Sequence, residues 1–399
     1  MTLPSCAPPP QASTPPQGHD LDRLLPHLTE HLAASAGEVD RQGAFPAGNF
    51  ALLHQHGLLG FTVPRALGGG GANLANARRV VSAVARGEPS TALILVMQYL
   101  QHARLQEDTR WPLHLRERVG RDAVQQGALL NALRVEPELG TPARGGLPAT
   151  IAQRTPGGWS LSGSKLYCTG SHGLSWLLVW ARSDAAEPHA GGFLVHKDSP
   201  GIRVIDDWDH LGMRATCSHR IEFDNVLLPL DHAVTVGPAG APRPEANDEA
   251  QLWMAVLMTS VYDAVAQAAR DWLVEFLHHR APSNLGAPLA SLPRFQALVG
   301  RIDTLLFANR TLLDNAAAGH VPPGHAGQIK QLASANAIAA VELAIEAAGN
   351  PGLSRHNPLQ RHYRDVLCSR IHTPQADSVF LAAGQAALAI CPSPPEPRP

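Results

Sequence analysis

The chain has 399 residues, a formal net charge of −2, 44% hydrophobic residues and 17% charged residues. This length predicts two or three domains, and this composition is typical of a globular protein that buries sizeable cores. Because no stretch concentrates Lys and Arg, we expect no nucleic-acid partner. No apolar run approaches the ~18 residues of a membrane span, so we expect none.

The cysteine pattern favours a reducing cytoplasm. The five cysteines include no CxxC pair, and an odd count fits neither zinc binding nor a disulfide framework. The N-terminus has neither the basic nor the apolar region of a signal peptide. His27 and His31 have i,i+4 spacing but no HExxH order, so we predict a surface helix there and no metal site.

In chain order, composition and periodicity predict a helical, then a β, then a helical domain. Residues 1–18 and 391–399 are Pro-rich and predict disordered tails. Apolar residues at three- and four-residue steps predict helices over 19–127, including the buried helix TALILVMQYLQHARL. Short segments rich in β-branched and aromatic residues predict an antiparallel β-barrel or sandwich over 128–236. Helical periodicity returns over 245–390 and predicts a four-helix bundle, giving an α+β multidomain class.

Five strings, in order, resemble the acyl-CoA dehydrogenase superfamily of flavoproteins. They are GLLGFTVPRALGGGG, RVEPELG, GWSLSGSKLYCTG, LGMRATCSHRIEFDNVLLP and EAAGNPGL followed by RHYRDV. No single string is specific, but together they span nearly all of the chain. The resemblance implies a flavin, FAD or alternatively FMN, held between the β domain and the helical bundle. It also implies a homodimer or homotetramer.

The resemblance assigns flavin-facing roles within the β domain. Val135 replaces the usual Thr beside the flavin ring, and Thr141 stands where a flavin- or substrate-contacting Ser is common. Tyr167 occupies the aromatic position against the isoalloxazine, and Thr169 matches the Thr near the flavin N5. The alternative is that Tyr167 and Thr169 merely alternate in a strand. Arg214 could bind a substrate anion or be structural.

The adenine-diphosphate end of FAD would lie against the helical bundle. By resemblance, Arg280 and Gln296 occupy the positions of the gripping Arg and Gln. Glu346 replaces a family Gln, and Gly349 keeps a turn glycine. A glutamate facing a diphosphate would repel it, which leaves room for FMN.

The glutamate that serves the family as base is missing from its usual place. Acyl-CoA dehydrogenation needs a carboxylate to remove the α-proton. The family supplies it shortly after an Arg-Asp pair, here Arg364-Asp365, where this chain has Thr373. Some members carry it early in the first long helix of the last domain, where Glu249 is the nearest carboxylate.

The His-Thr-Pro string around Thr373 resembles a branch of reduced-flavin monooxygenases. In that branch a histidine near the flavin donates a proton to the activated oxygen, a role that an imidazole with a pKa near neutrality suits. His372 is the matching residue, although an ordinary histidine after a helix is an equal alternative. A second histidine of those enzymes would fall near Leu100, and His102 lies two residues away.

Three functions remain open at this point. The first is an acyl-CoA dehydrogenase-type oxidoreductase that oxidises a CH–CH group of an acyl-thioester-like substrate. The alternative is a monooxygenase that acts on an aromatic or sulfur compound with reduced flavin. The third is a non-catalytic homologue that binds flavin or acyl-CoA. The expected partners are a small-molecule substrate, for which an acyl-CoA is one candidate, and an electron-transfer partner or flavin reductase.

Overall fold

A computed structural model describes residues 15–16, 18–105, 108–140, 146–239 and 247–389. Within these residues, five α-helices come first, eight strands follow, and six further α-helices come last. The predicted class of helical, β and helical domains is therefore confirmed. The two predicted tails lie almost entirely outside the described residues, and the proposed domain boundaries stay predictions.

Helix α4 (Pro89–Leu105) lies where the three domains meet. It packs on α3, on the first β strand and on the first helix of the last domain. The Glu88 carboxylate accepts the backbone N–H groups of Ser90 (3.0 Å) and Thr91 (2.7 Å), which fixes the start of the helix. Most of α4 is buried, as its all-round apolar sequence predicts. The N-terminal helices are α1 Gly18–Gln42, α2 Ala47–Gln55, α3 Leu74–Gly87, α4 Pro89–Leu105 and α5 Leu113–Gln126.

Over its described residues the β domain is one eight-stranded sheet with the order β6-β7-β3-β2-β4-β5-β8, and β1 pairs with β4. Strand β4 runs parallel to both β1 and β2, so the prediction of a wholly antiparallel domain was wrong in this detail. Alternating apolar residues indicate which face of a strand is buried but not its direction. The strands are β1 Leu129–Leu133, β2 Ile151–Thr155, β3 Gly158–Lys165, β4 Leu174–Ser183, β5 His189–His196, β6 Ile202–Ile205, β7 Arg220–Pro229 and β8 Gly237–Pro238.

The C-terminal domain is built around α6, which packs on α7, α8 and α10. Asn247 caps its start by accepting the Ala250 N–H at 2.7 Å. Among the described residues α6 is the one helix with the length and apolar character of a membrane span, and 78% of its apolar window is buried in the fold. The helices are α6 Asp248–His279, α7 Pro293–Ala317, α8 Ala326–Ala348, α9 Asn350–Leu353, α10 Leu359–Leu367 and α11 Ala376–Ala389.

One charged cluster joins the three domains. The Arg364 guanidinium on α10 donates to both carboxylate oxygens of Asp40 on α1, at 3.1 and 2.6 Å. Arg214 of the β domain donates to the Asp40 carbonyl at 3.0 Å, and the Met213 N–H donates to Asp365 at 2.7 Å. Burial raises the pKa of Asp365 to about 7. These contacts give Arg214 a structural role at the domain junction.

Candidate functional site

A chain of hydroxyl groups begins at Thr169, in the turn that follows β3. The Thr169 Oγ1 lies 3.1 Å from the Ser218 Oγ, which lies 2.9 Å from the Thr216 Oγ1. Thr216 donates to the Met213 carbonyl at 2.8 Å. Ser218 and Thr216 are buried, whereas Thr169 is partly exposed. Of these three hydroxyl groups, that of Thr169 is therefore the one that reaches the surface of the β domain.

The turn that carries Thr169 lies against helix α4. Gly170 has a φ of 81°, which residues with a side chain rarely adopt, and a Cβ there would lie 3.1 Å from the Ile94 side chain. Asn131 of β1 donates to the Thr169 carbonyl at 3.0 Å. Thr169 is thus held at the edge where the sheet meets the helix that the three domains share.

Tyr167 presents an aromatic ring beside this turn. Its φ of 54° lies in the left-handed region, which is unusual for a bulky residue and is often found at functional sites. The side chain is 55% exposed and makes edge contacts with the Trp208 and His210 rings. Those two rings stack on each other with centroids 3.6 Å apart. An exposed aromatic surface of this kind can receive a flat ligand ring.

His372 is held by groups from two helices of the C-terminal domain. The Tyr262 hydroxyl on α6 hydrogen-bonds the His372 Nε2. Lys330 on α8 donates to the His372 carbonyl at 2.8 Å, and Gln331 donates to the Pro374 carbonyl at 3.0 Å. The segment is therefore fixed on both sides of Thr373, which is partly buried.

The imidazole of His372 is neutral at physiological pH. Burial and, secondly, the nearby Lys330 ammonium lower its pKa to about 4. Burial also lowers the pKa of Lys330 to about 8 and raises that of Tyr262 well above its ordinary value. The resemblance led us to expect a pKa near neutrality for His372, and its surroundings in the fold give a much lower pKa instead. A neutral imidazole still offers one N–H donor and one acceptor.

A cavity of about 350 Å³ opens between the end of α4 and the start of α6. Glu249 lines it and is exposed. Leu100, Ala103 and Ala250 provide apolar surface, and Trp253 provides a ring. Further polar lining comes from Arg104, Asp108, Thr109, Arg110 and Asn247. The cavity thus combines an apolar wall with groups of both charges.

The residues predicted to hold an adenine diphosphate gather at one end of the helical domain. Arg280 ends α6, and Gln296, in the first turns of α7, donates to the Ala290 carbonyl at 3.1 Å. Glu346 is exposed near the end of α8, 4.0 Å from the Arg294 guanidinium, and Gly349 follows that helix with a φ of 65°. The carboxylate of Glu346 thus stands among the groups assigned to a diphosphate.

The His372 segment lies far from that end. Tyr262, which holds His372, precedes Arg280 by 18 residues of α6, which corresponds to about 27 Å at the helical rise. Val135 bridges Leu166 near the Thr169 turn, on the β-domain side. Thr141 lies outside the described residues. His372 is thus separated along α6 from the residues predicted to bind the diphosphate.

A histidine cluster beside the Thr169 turn has the composition of a metal site. The Asp206 Oδ1 lies 2.7 Å from the His172 Nε2 and 3.7 Å from the His219 Nε2. However, the Trp208 N–H donates to the His219 Nδ1 at 3.0 Å. In the neutral ring the proton must then be on Nε2, whereas a metal-bound histidine uses that lone pair and donates from its other nitrogen. We interpret the cluster as a hydrogen-bond network.

Comparisons with known proteins identify the family. Models of the N-terminal, middle and C-terminal domains of acyl-CoA dehydrogenases match residues 26–104, 134–226 and 264–375. A putative acyl-CoA dehydrogenase of Bacillus subtilis, YdbM, is 32% identical over 88% of this chain and 92% of its own length. The chain belongs to the acyl-CoA dehydrogenase family. It is a flavoprotein oxidoreductase of that family.

Other relatives within this family carry out different chemistry. L-evernosamine nitrososynthase of a Micromonospora species is 31% identical over 94% of this chain and 92% of its own length. KijD3, whose structure was determined with FMN and a dTDP-linked amino sugar, is 30% identical in sequence to this chain. The two structures match with a TM-score of 0.81 over 96% of each chain. The family therefore fixes the fold and the cofactor class but not the reaction.

Sequence reasoning missed the residues that support the candidate site. Tyr262 and Lys330 lie within long apolar helices, and nothing in their spacing signals a contact with His372. Ser218 and Thr216 were visible in the LGMRATCS string, but their link to Thr169 depends on the folded turn. His102 is buried on α4, and burial lowers its pKa to about 4.

Proposed function

We propose that the chain is a monooxygenase that uses reduced flavin supplied by a separate reductase. One oxygen atom of O₂ would enter the substrate and the other would leave as water, with two electrons from the reduced flavin. The observation that carries this proposal is the fixed segment of His372 and Thr373, which offers a neutral imidazole and a threonine at the position where the resemblance predicts the family's base. A threonine has no basic group for removing an α-proton.

The residues of this chain would then act as follows. Thr169 and the ring of Tyr167 would face the flavin from the β domain, and the flavin would supply the electrons for oxygen activation. His372 would hold a proton on its neutral imidazole beside the reacting atoms. Tyr262 and Lys330 would keep that imidazole in place and uncharged.

The cavity between α4 and α6 favours a small polar substrate that carries an amino group. The Glu249 carboxylate would attract an ammonium group, and the Trp253 ring offers a flat wall. An acyl chain gains little from a cavity whose lining includes several charged side chains. The names of the nitrososynthase relatives, which refer to amino sugars, support the same substrate class.

Oxidation of an acyl thioester, the dehydrogenase function, is the second candidate, because Glu249 lines the cavity and could serve as its base. The two functions separate in one experiment. We expect reduced flavin, O₂ and an amino-sugar nucleotide to give an oxygenated product, and acyl-CoA to leave the oxidised flavin unbleached under anaerobic conditions. Anaerobic bleaching by acyl-CoA that disappears in Glu249→Gln would establish the dehydrogenase instead.

FMN is the flavin that we propose for this site. The Glu346 carboxylate would repel a diphosphate. Arg280, which is predicted to bind that diphosphate, lies about 27 Å along α6 from Tyr262, which hydrogen-bonds His372. We expect FMN to bind at least tenfold more tightly than FAD in a fluorescence titration. Glu346→Gln should lower the ratio of FAD to FMN dissociation constants by strengthening FAD binding, whereas Glu30→Gln, which changes an exposed glutamate on α1, is the matched control. Equal affinities for the two flavins in the unmodified protein would contradict the assignment.

The partners follow from the same proposal. A flavin reductase would supply reduced flavin, and the cytoplasm would be the compartment. A homo-oligomer is also part of the proposal, because α11 is apolar yet only Val379 of this helix is buried. Phe380, Leu381 and Leu388 are each more than 60% exposed, and a second copy would cover them.

A further inference from the structure

The hydroxyl chain that begins at Thr169 has only one possible hydrogen-bond direction. The Met213 carbonyl can only accept, so the Thr216 hydroxyl must give its single proton to that carbonyl. Thr216 then has only lone pairs for Ser218, and Ser218 must donate to it. With its proton used, Ser218 can only accept from Thr169. The order of donation is Thr169 to Ser218 to Thr216 to the Met213 carbonyl.

This direction leaves Thr169 with lone pairs and no proton on its outward side. No other polar partner of these three hydroxyl groups occurs among the contacts of the described residues. Ser218 is 5% exposed and Thr216 is fully buried, so water is poorly placed to reverse the chain. Thr169 therefore acts as an acceptor toward whatever lies against the β domain.

We propose that Ser218 and Thr216 are positioning residues that make Thr169 select reduced over oxidised flavin. The inference rests on the proposed function, in which Thr169 faces the flavin N5. Reduced flavin carries a proton on N5 and can donate to Thr169, whereas oxidised flavin has only a lone pair there. Two lone pairs facing each other repel, so the oxidised form binds less well. An enzyme that takes up reduced flavin and releases oxidised flavin gains from this preference at both steps.

The test compares the affinities for reduced and oxidised FMN. Dissociation constants are measured anaerobically by titration, with FMN reduced by dithionite for one arm. Ser218→Ala frees the Thr169 proton, which can then be donated to oxidised N5. We expect the preference for reduced FMN to fall about tenfold, which corresponds to a midpoint potential about 30 mV more negative for a two-electron couple. Thr216→Val, which frees the Ser218 proton instead, should shift the preference in the same direction.

Ser171→Ala is the matched control. Ser171 is buried in the same turn and donates to the Cys217 carbonyl at 2.6 Å, but it is not part of the chain. Its removal should leave the preference unchanged. The inference is overturned if Ser218→Ala stays within twofold of the unmodified protein, or if Ser171→Ala shifts the preference equally. A protein that binds neither form of FMN would instead remove the proposed function itself.

Discussion

Replacement of His372 by alanine is expected to lower the rate of substrate oxygenation about 100-fold, the lower end of the range for loss of one positioned hydrogen-bond donor at a reacting centre. His372 is held by the Tyr262 hydroxyl and by Lys330, so its removal takes away a positioned imidazole rather than a mobile one. Consumption of reduced FMN and O₂ should continue, with hydrogen peroxide released in place of product. Product and peroxide are measured together in single-turnover experiments.

The controls for His372 separate chemistry from folding. Tyr262→Phe keeps the ring but removes the hydroxyl that orients the imidazole, and a smaller loss is expected. His356→Ala changes an exposed histidine and should have no effect. Because the pKa of His372 is about 4, the imidazole is almost wholly neutral above pH 6, and its ionisation should not appear in the rate between pH 6 and pH 8. Full product yield in His372→Ala would remove this residue from the mechanism.

The sequence was sufficient for the order of the domains because each domain has its own periodicity. α4 is apolar all round and was predicted as a buried helix, and the change to short β-branched segments marked the sheet. The direction of β4 could not be predicted from the sequence, because a strand buries the same alternating residues whether its neighbours run parallel or antiparallel to it. The two short helices α9 and α10 were also not predicted.

The candidate site was predictable only where the chain carries a string that resembles the family. Thr169 and His372 stand in such strings, so their positions could be assigned from the sequence. The environment of His372 could not be predicted from the sequence, because its low pKa comes from burial and from Lys330, which lies 42 residues away along the chain. Contacts of this kind depend on the packing of whole helices. The pKa of such a side chain could therefore be assigned only from the folded structure.

A second large effect is expected at Glu136, which anchors the segment after Val135. Its carboxylate accepts from the Lys165 ammonium at 2.6 Å, from the Thr150 hydroxyl at 2.6 Å and from the Ala149 N–H at 2.6 Å. The side chains of Glu136 and Lys165 are 1% and 0% exposed. Burial alone would raise the pKa of Glu136, but the bonds from Lys165 and Thr150 outweigh it and lower that pKa.

Glu136→Ala should reduce the free energy of unfolding by roughly 3–5 kcal/mol, because it leaves the Lys165 ammonium buried without its carboxylate. Urea denaturation measures this loss, and Glu117→Ala, which breaks an exposed helical pair with Arg121, should cost at most about 0.5 kcal/mol. The double variant Glu136→Leu with Lys165→Met should recover most of the stability, because no buried charge remains. Since the pKa of Glu136 is lowered in the folded state, its contribution is present above the unfolded pKa and is lost as the pH falls through the folded one. A double variant as unstable as Glu136→Ala would mean that this position requires the hydrogen bonds to Thr150 and Ala149 themselves, rather than neutralisation of Lys165.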